Sequence, residues 1–161
     1  MINHHPGFIE RLKNSHPAVF KVGSFIKSKG YKIDIPKTEY APEASEHEKY
    51  ADDGDLFYYG KYTNSKNRIE VKRLRVEFTN SKDWVFGKDF FVCAKHAYDN
   101  AVQKPLCFFI LNHSLTHFAI IKSKTVHHWT TKIAKDKDRS TPETFYLCPL
   151  NMIHFGNFWL T

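Results

Sequence analysis

Residues 106–111, Leu-Cys-Phe-Phe-Ile-Leu, form an uninterrupted apolar run directly after Pro105. A strand that alternates can leave one face in water, but a strand apolar on both faces must be covered on both. That requirement demands layers, with a sheet at the centre and further elements above and below it. The rest of the chain has to supply them. Val19, Val22, Phe25 and Ile26 recur at three-and-four spacing after Pro17, and Lys27, Lys29 and Gly30 close the run, which predicts a helix starting at Pro17. Tyr31, Ile33 and Ile35 alternate before Pro36 and predict a strand.

Residues 56–62 are aromatic and strand-prone, residues 68–76 alternate Ile69 and Val71 against Glu70 and Lys72, and the turn composition of 64–67 joins the two as a hairpin. Residues 90–103 begin as a strand and continue as a helical run from Ala94 to Val102. Three more strands are predicted at 118–121, 126–129 and 145–150, followed by an aromatic tail. The polar stretch 38–53 reads as a loop or short helix at the surface, and the charged stretch 134–141 as an exposed loop. Residues 1–16, with His4, His5 and Pro6, read as an N-terminal arm in which Phe8–Lys13 could form a helical turn, and 17–161 as one domain of the α/β (α+β) class, a mixed β-sheet flanked by helices.

The chain of 161 residues is long enough to bury one core. No apolar stretch approaches the length of a membrane span, and the polar, His-rich start is unlike a secretory signal, so a soluble, cytoplasmic protein with no membrane partner is expected. Cys93, Cys107 and Cys148 show no CxxC spacing and are expected to be reduced thiols. The formal charge of +7, from 24 basic against 17 acidic residues, favours polyanionic partners.

Because side chains alternate along a strand, Glu70 and Lys72 share one face while Ile69 and Val71 turn to the other. The hairpin can bring Asp55, just before its first strand, beside Glu70. Two carboxylates can hold Mg²⁺, which prefers hard oxygen ligands and keeps several waters, so that an Asp, a Glu and one backbone carbonyl suffice. Such an ion makes water nucleophilic and neutralises charge on a phosphate, and a neighbouring lysine can assist that water. His113 and His117 flank a predicted turn, and His127 and His128 on a predicted strand point apart, so neither pair is expected to hold a metal.

At Gly54-Asp55 and Glu70-Val71-Lys72 the sequence resembles the PD-(D/E)XK nuclease superfamily, whose pattern is an acidic residue, a spacer across a strand and turn, then (Asp/Glu)-x-Lys. Gly54 stands where that family often has proline. The resemblance covers roughly residues 17–121 and implies a restriction-endonuclease-like fold with an α-β-β-β-α-β core. It implies that Asp55 and Glu70 are metal ligands, that Val71 lends its carbonyl oxygen, and that Lys72 is the catalytic lysine of a Mg²⁺-dependent DNA endonuclease, with Mn²⁺ as a substitute. A further acid could come from Glu10, Glu46, Glu48, Asp52 or Asp53. Lys61, Lys66, Arg68, Arg73, Arg75 and Lys95 are the expected nucleic-acid contacts, with DNA the expected partner, RNA an alternative, and a homodimer a way to place two sites against two strands. The rival reading is a nucleic-acid- or protein-binding accessory module that keeps the fold without turnover.

Overall fold

The computed structural model describes residues 6–36, 55–135 and 141–159, with side chains described from His16 onward. The expected acids Glu46, Glu48, Asp52 and Asp53, the side chain of Glu10, and Gly54 lie outside the described residues, as do all of the stretch 38–53 and the centre of the one at 134–141.

Among the described residues the architecture is mixed α+β, dominated by strands. Helix α1 (Pro6–Ser28) leads into β1 (Lys32–Asp34), β2 (Leu56–Tyr59) and β3 (Lys66–Arg73). Then come β4 (Asp89–Ala94), the short helix α2 (Lys95–Asn100), β5 (Cys107–Leu111) and β6 (His117–Lys122). A 3₁₀ helix (Ser123–His128), β7 (Thr130–Ala134), β8 (Glu143–Pro149) and β9 (Ile153–Asn157) complete the order. No helix among the described residues is long and apolar enough to cross a membrane.

The strands divide into two sheets, a six-stranded one in the order β1-β2-β3-β5-β6-β9 and a three-stranded one in the order β4-β8-β7. Within the larger sheet β3 and β5 run parallel, and the other neighbours are antiparallel. The parallel pair needs a crossover, which β4 and α2 occupy. All five residues of β5 are buried, as a run apolar on both faces requires.

On one face of the large sheet, Leu56, Ile69, Val71, Cys107, Phe109, Leu111 and Phe118 meet Ala18, Val19, Val22 and Ile26 of α1. On the other, Phe108, Ile110, Ala119, Ile121 and Ile153 meet Phe90 and Val92 of β4, Cys148 of β8, and Phe78, Trp84, Tyr98 and Trp129. Each large apolar side chain sealed in these layers contributes about 1.5–3 kcal/mol. Gly30, at φ +87°, ends the α1 region in the left-handed conformation, its N–H reaching the Lys27 carbonyl at 2.9 Å.

Four expectations need correction. The helix expected from Pro17 begins at Pro6 and passes through Pro17, so most of the segment read as an arm is helical. A proline inside a helix removes one hydrogen bond; the burial of Ala18, Val19, Val22 and Ile26 outweighs that loss beyond it. Residues 126–128 are 3₁₀ helix rather than strand: Thr125 Oγ donates to the Lys122 carbonyl at 2.7 Å and receives Trp129 Nε1 at 3.0 Å, side-chain bonds that favour a turn. His127 and His128 consequently lie together, ring centroids 4.0 Å apart, instead of pointing apart. The tail contains β9, and the expected single sheet is two.

Candidate active site

Strand β3 carries most of the residues singled out in the sequence. Arg68, Glu70 and Lys72 share the face opposite α1, while Ile69 and Val71 are sealed against the helix. In register with β5, Glu70 stands beside Phe108 and Lys72 beside Ile110.

Asp55 joins this group through the backbone. The β2–β3 ladder begins at Leu56 opposite Ile69, so one step further puts Asp55 level with Glu70. Arg68 accepts at its carbonyl from Leu106 N–H (2.8 Å), and Leu74 N–H donates to the Leu111 carbonyl (2.9 Å), so these even-numbered residues turn their peptide groups towards β5. By alternation Val71 turns both its N–H and its C=O towards the β2 side, beyond Leu56, the first residue of β2. The Val71 N–H donates to Asp55 Oδ2 at 2.7 Å, so the carboxylate sits on the β2 side of β3. Asp55 and the Val71 peptide group therefore meet at a notch in the sheet, with Glu70 the residue before Val71 along β3.

Glu70 is held from within its own strand. Its Oε1 receives Arg68 Nε at 2.9 Å and forms an ion pair with Arg68 Nη2, while Arg68 Nη1 donates to the Gln103 carbonyl at 2.9 Å. Gln103 Nε2 in turn donates to the Lys66 carbonyl at 2.7 Å, tying the loop before β5 to β3. The exposed Lys72 extends its Nζ to 5.6 Å from the centroid of Phe90.

Beside these residues lies a cavity of about 330 Å³, bounded by Arg68, Glu70, Val71 and Lys72 of β3, Val92 and Cys93 of β4, Phe108 and Ile110 of β5, and the α2 region. The β4–β8 register shifts between Phe91 and Cys93, beside this opening. Burial pushes the Cys93 thiol up to about 12, with Lys72 pulling it down and Glu70 and Asp99 adding to the rise. At neutral pH it is a protonated wall, not a nucleophile.

The expected nucleic-acid contacts separate. Arg68 borders the cavity. Lys66 lies on the same sheet face, its Nζ 4.2 Å from the Phe57 ring centroid, in a row with Tyr59 and Lys32, whose Nζ sits 5.4 Å from the Tyr59 ring centroid. Lys61 lies in the turn, 4.7 Å from the Tyr31 ring centroid. Arg73 belongs to the α1 side of the strand, and its Nε and Nη2 reach the His113 carbonyl at 3.1 and 2.6 Å. Arg75 follows the end of β3 and is exposed. Lys95 pairs with Asp99, which accepts Tyr146 Oη at 2.8 Å, a cluster that does not line the cavity. The sequence reading missed Cys93, Tyr98 and Phe108 as cavity walls. Of these, Phe108 was within reach, because alternation along β5 places it on one face with Ile110.

Among the described residues no group of three or more His, Cys, Asp or Glu side chains gathers as a metal cluster. Asp55, Glu70 and the Val71 carbonyl would offer hard oxygen, the donor type Mg²⁺ takes. Comparison with protein-family models, with curated proteins and with solved structures finds no match for this chain.

Proposed function

We propose that the chain is a Mg²⁺-dependent nuclease of restriction-endonuclease-like fold that hydrolyses phosphodiester bonds in DNA. The observation that carries this reading is the joining of Asp55 to the peptide nitrogen of Val71, between Glu70 and Lys72, which share one face and one cavity. The order α1-β1-β2-β3-α2-β5, with β5 parallel to β3, supports it by matching the core that the resemblance implies; β4 is an insertion that joins the smaller sheet.

Asp55, Glu70 and the Val71 carbonyl would hold the ion, which when bound supplies a water of lowered pKa and positive charge against the phosphate. Lys72 stands one strand step from Glu70 and aids the attacking water or neutralises phosphate charge. Arg68 sets the orientation of Glu70 and adds positive charge on the side from which a phosphate approaches. Lys66 and Lys32 continue that charge across the hairpin.

The Arg68–Glu70 ion pair favours a second reading, since it already engages a carboxylate that the metal would need. In that case the chain binds nucleic acid or a protein partner without turnover. One experiment separates the two: supercoiled, linear, branched and single-stranded DNA are incubated with the protein in Mg²⁺, Mn²⁺ or EDTA, beside Lys72→Ala. Scission that needs the ion and falls about 10²–10⁴-fold in the variant is expected. Binding without scission in either metal leaves the accessory module.

A further inference from the structure

We propose that the cavity beside Glu70 and Lys72 receives one unpaired nucleobase, so that the site works on strands offering an unstacked nucleotide, such as single strands, flaps or bulges, in preference to continuous duplex. This rests on the nuclease reading and narrows its substrate.

Size and chemistry point the same way. The volume of about 330 Å³ lies at the small end of ligand pockets, room for one ring system and not for a folded peptide. Its walls are polarised. Phe108 and Ile110 form one side and Val92 another, Tyr98 of α2 brings an aromatic ring, and the charged groups Arg68, Glu70 and Lys72 all belong to the β3 edge. An occupant that satisfies both halves is apolar over a flat body and anionic at the end facing β3. A nucleotide has that shape: its phosphate belongs over the notch between Asp55 and Glu70, and its base reaches across β3 towards β5.

A base inside a duplex cannot make that reach without leaving its stack, which costs a few kcal/mol, whereas an unpaired base pays least. Contact through the flat face of a base is tolerant of sequence, because every base presents one. The selectivity that follows is for local structure, not for a recognition sequence.

The test measures binding by fluorescence anisotropy, with Ca²⁺ replacing Mg²⁺, for a single-stranded oligonucleotide, the same sequence as a duplex, and that duplex with one bulged nucleotide. Ala97→Trp is the matched variant, because Ala97 borders the cavity from α2 and is otherwise exposed, so an indole there fills the space. The native chain is expected to bind the single strand and the bulge roughly ten-fold or more tightly than the duplex, as one stacked base provides. Ala97→Trp should reduce both to the duplex level and leave the duplex unchanged. Ala101→Leu, at the other end of the same wall, gives the same reading if the tryptophan variant does not fold. Equal affinity for all three substrates, or a preference that survives a folded cavity-filling variant, overturns the proposal. Metal-dependent scission of duplex as fast as single strand overturns it too and leaves the nuclease reading standing, while a single-strand preference without scission under Mg²⁺ or Mn²⁺ does the reverse.

Discussion

The two faces of the six-stranded sheet are built from the same strands and do different work. Towards α1, the cover is apolar from β2 to β6, and β3 contributes Ile69 and Val71 to it. Towards the smaller sheet, β5, β6 and β9 are apolar in the same way, but the apolar layer stops at β3, where Arg68, Glu70 and Lys72 take over. A charged strand face next to a sealed core is costly unless the charges keep water or partners. The difference teaches that β3 anchors the fold through its odd-numbered residues and turns its charged even-numbered ones to the cavity.

The sharpest way to break that comparison is to substitute adjacent residues of β3. Ile69→Ala removes a side chain that is 1% exposed and should cost about 2–5 kcal/mol, lowering Tm by roughly 5–20 °C. Glu70→Gln, one residue away, should move Tm by no more than about 2 °C, yet depress metal-dependent scission about 100-fold or more. Thermal melts and cleavage rates on the same two preparations check both. A Glu70→Gln chain that melts like Ile69→Ala would make the carboxylate a structural group, and the two faces would no longer differ in purpose.

Much of this arrangement was legible in the sequence, because alternation and helical spacing are local signals. The run at 106–111, the hairpin and the pairing of Glu70 with Lys72 on one face all follow from them. What escaped depends on partners far along the chain. Strand β9 holds Gly156 and two polar residues in five positions, and it is defined by pairing with β6; a Cβ at Gly156 would stand 2.7 Å from the Phe118 ring. The division into two sheets is equally invisible locally, since β4 and β8 are far apart in sequence and each reads as an ordinary strand. The cavity inherits that opacity. Its β3 side follows from the alternation, whereas Val92, Cys93 and Tyr98 reach it only after β4 and α2 fold over.

A finer comparison uses the two basic residues that bracket β3. Lys66 opens the strand on the charged face, and Arg73 ends it on the α1 side with its guanidinium on the His113 carbonyl. If DNA lies on the charged face, Lys66→Ala should weaken binding and reduce the slope of log affinity against log salt by about 1, as the loss of one phosphate contact requires. Arg73→Ala should leave that slope alone and lower Tm by a few degrees. Binding isotherms at several salt concentrations read the first effect and melts the second; the opposite assignment would put the nucleic acid on the wrong side of the strand.

The smallest effect near neutral pH concerns the thiols, which sit on both sides of the sheet. Burial pushes Cys107, on the α1 side, up to about 12, and Cys148, on the other, up to about 11. In the unfolded chain a thiol ionises near pH 8.5, so below that value both states are protonated and the thiols give no pH dependence. Between there and about 12 only the unfolded chain has released the Cys107 proton. Unfolding is therefore favoured as pH rises through that window, and the stabilisation that is complete at low pH drains away. Denaturant midpoints between pH 8 and 9.5 should fall with pH, and fall less steeply in Cys107→Val, which keeps the apolar volume and has no proton to lose. Lysines and tyrosines titrate in the same range, but they are common to both chains, so the difference in slope belongs to the one thiol. Identical slopes would mean that Cys107 ionises as readily in the folded chain as in the unfolded one, and that the α1 side is less sealed than its packing implies.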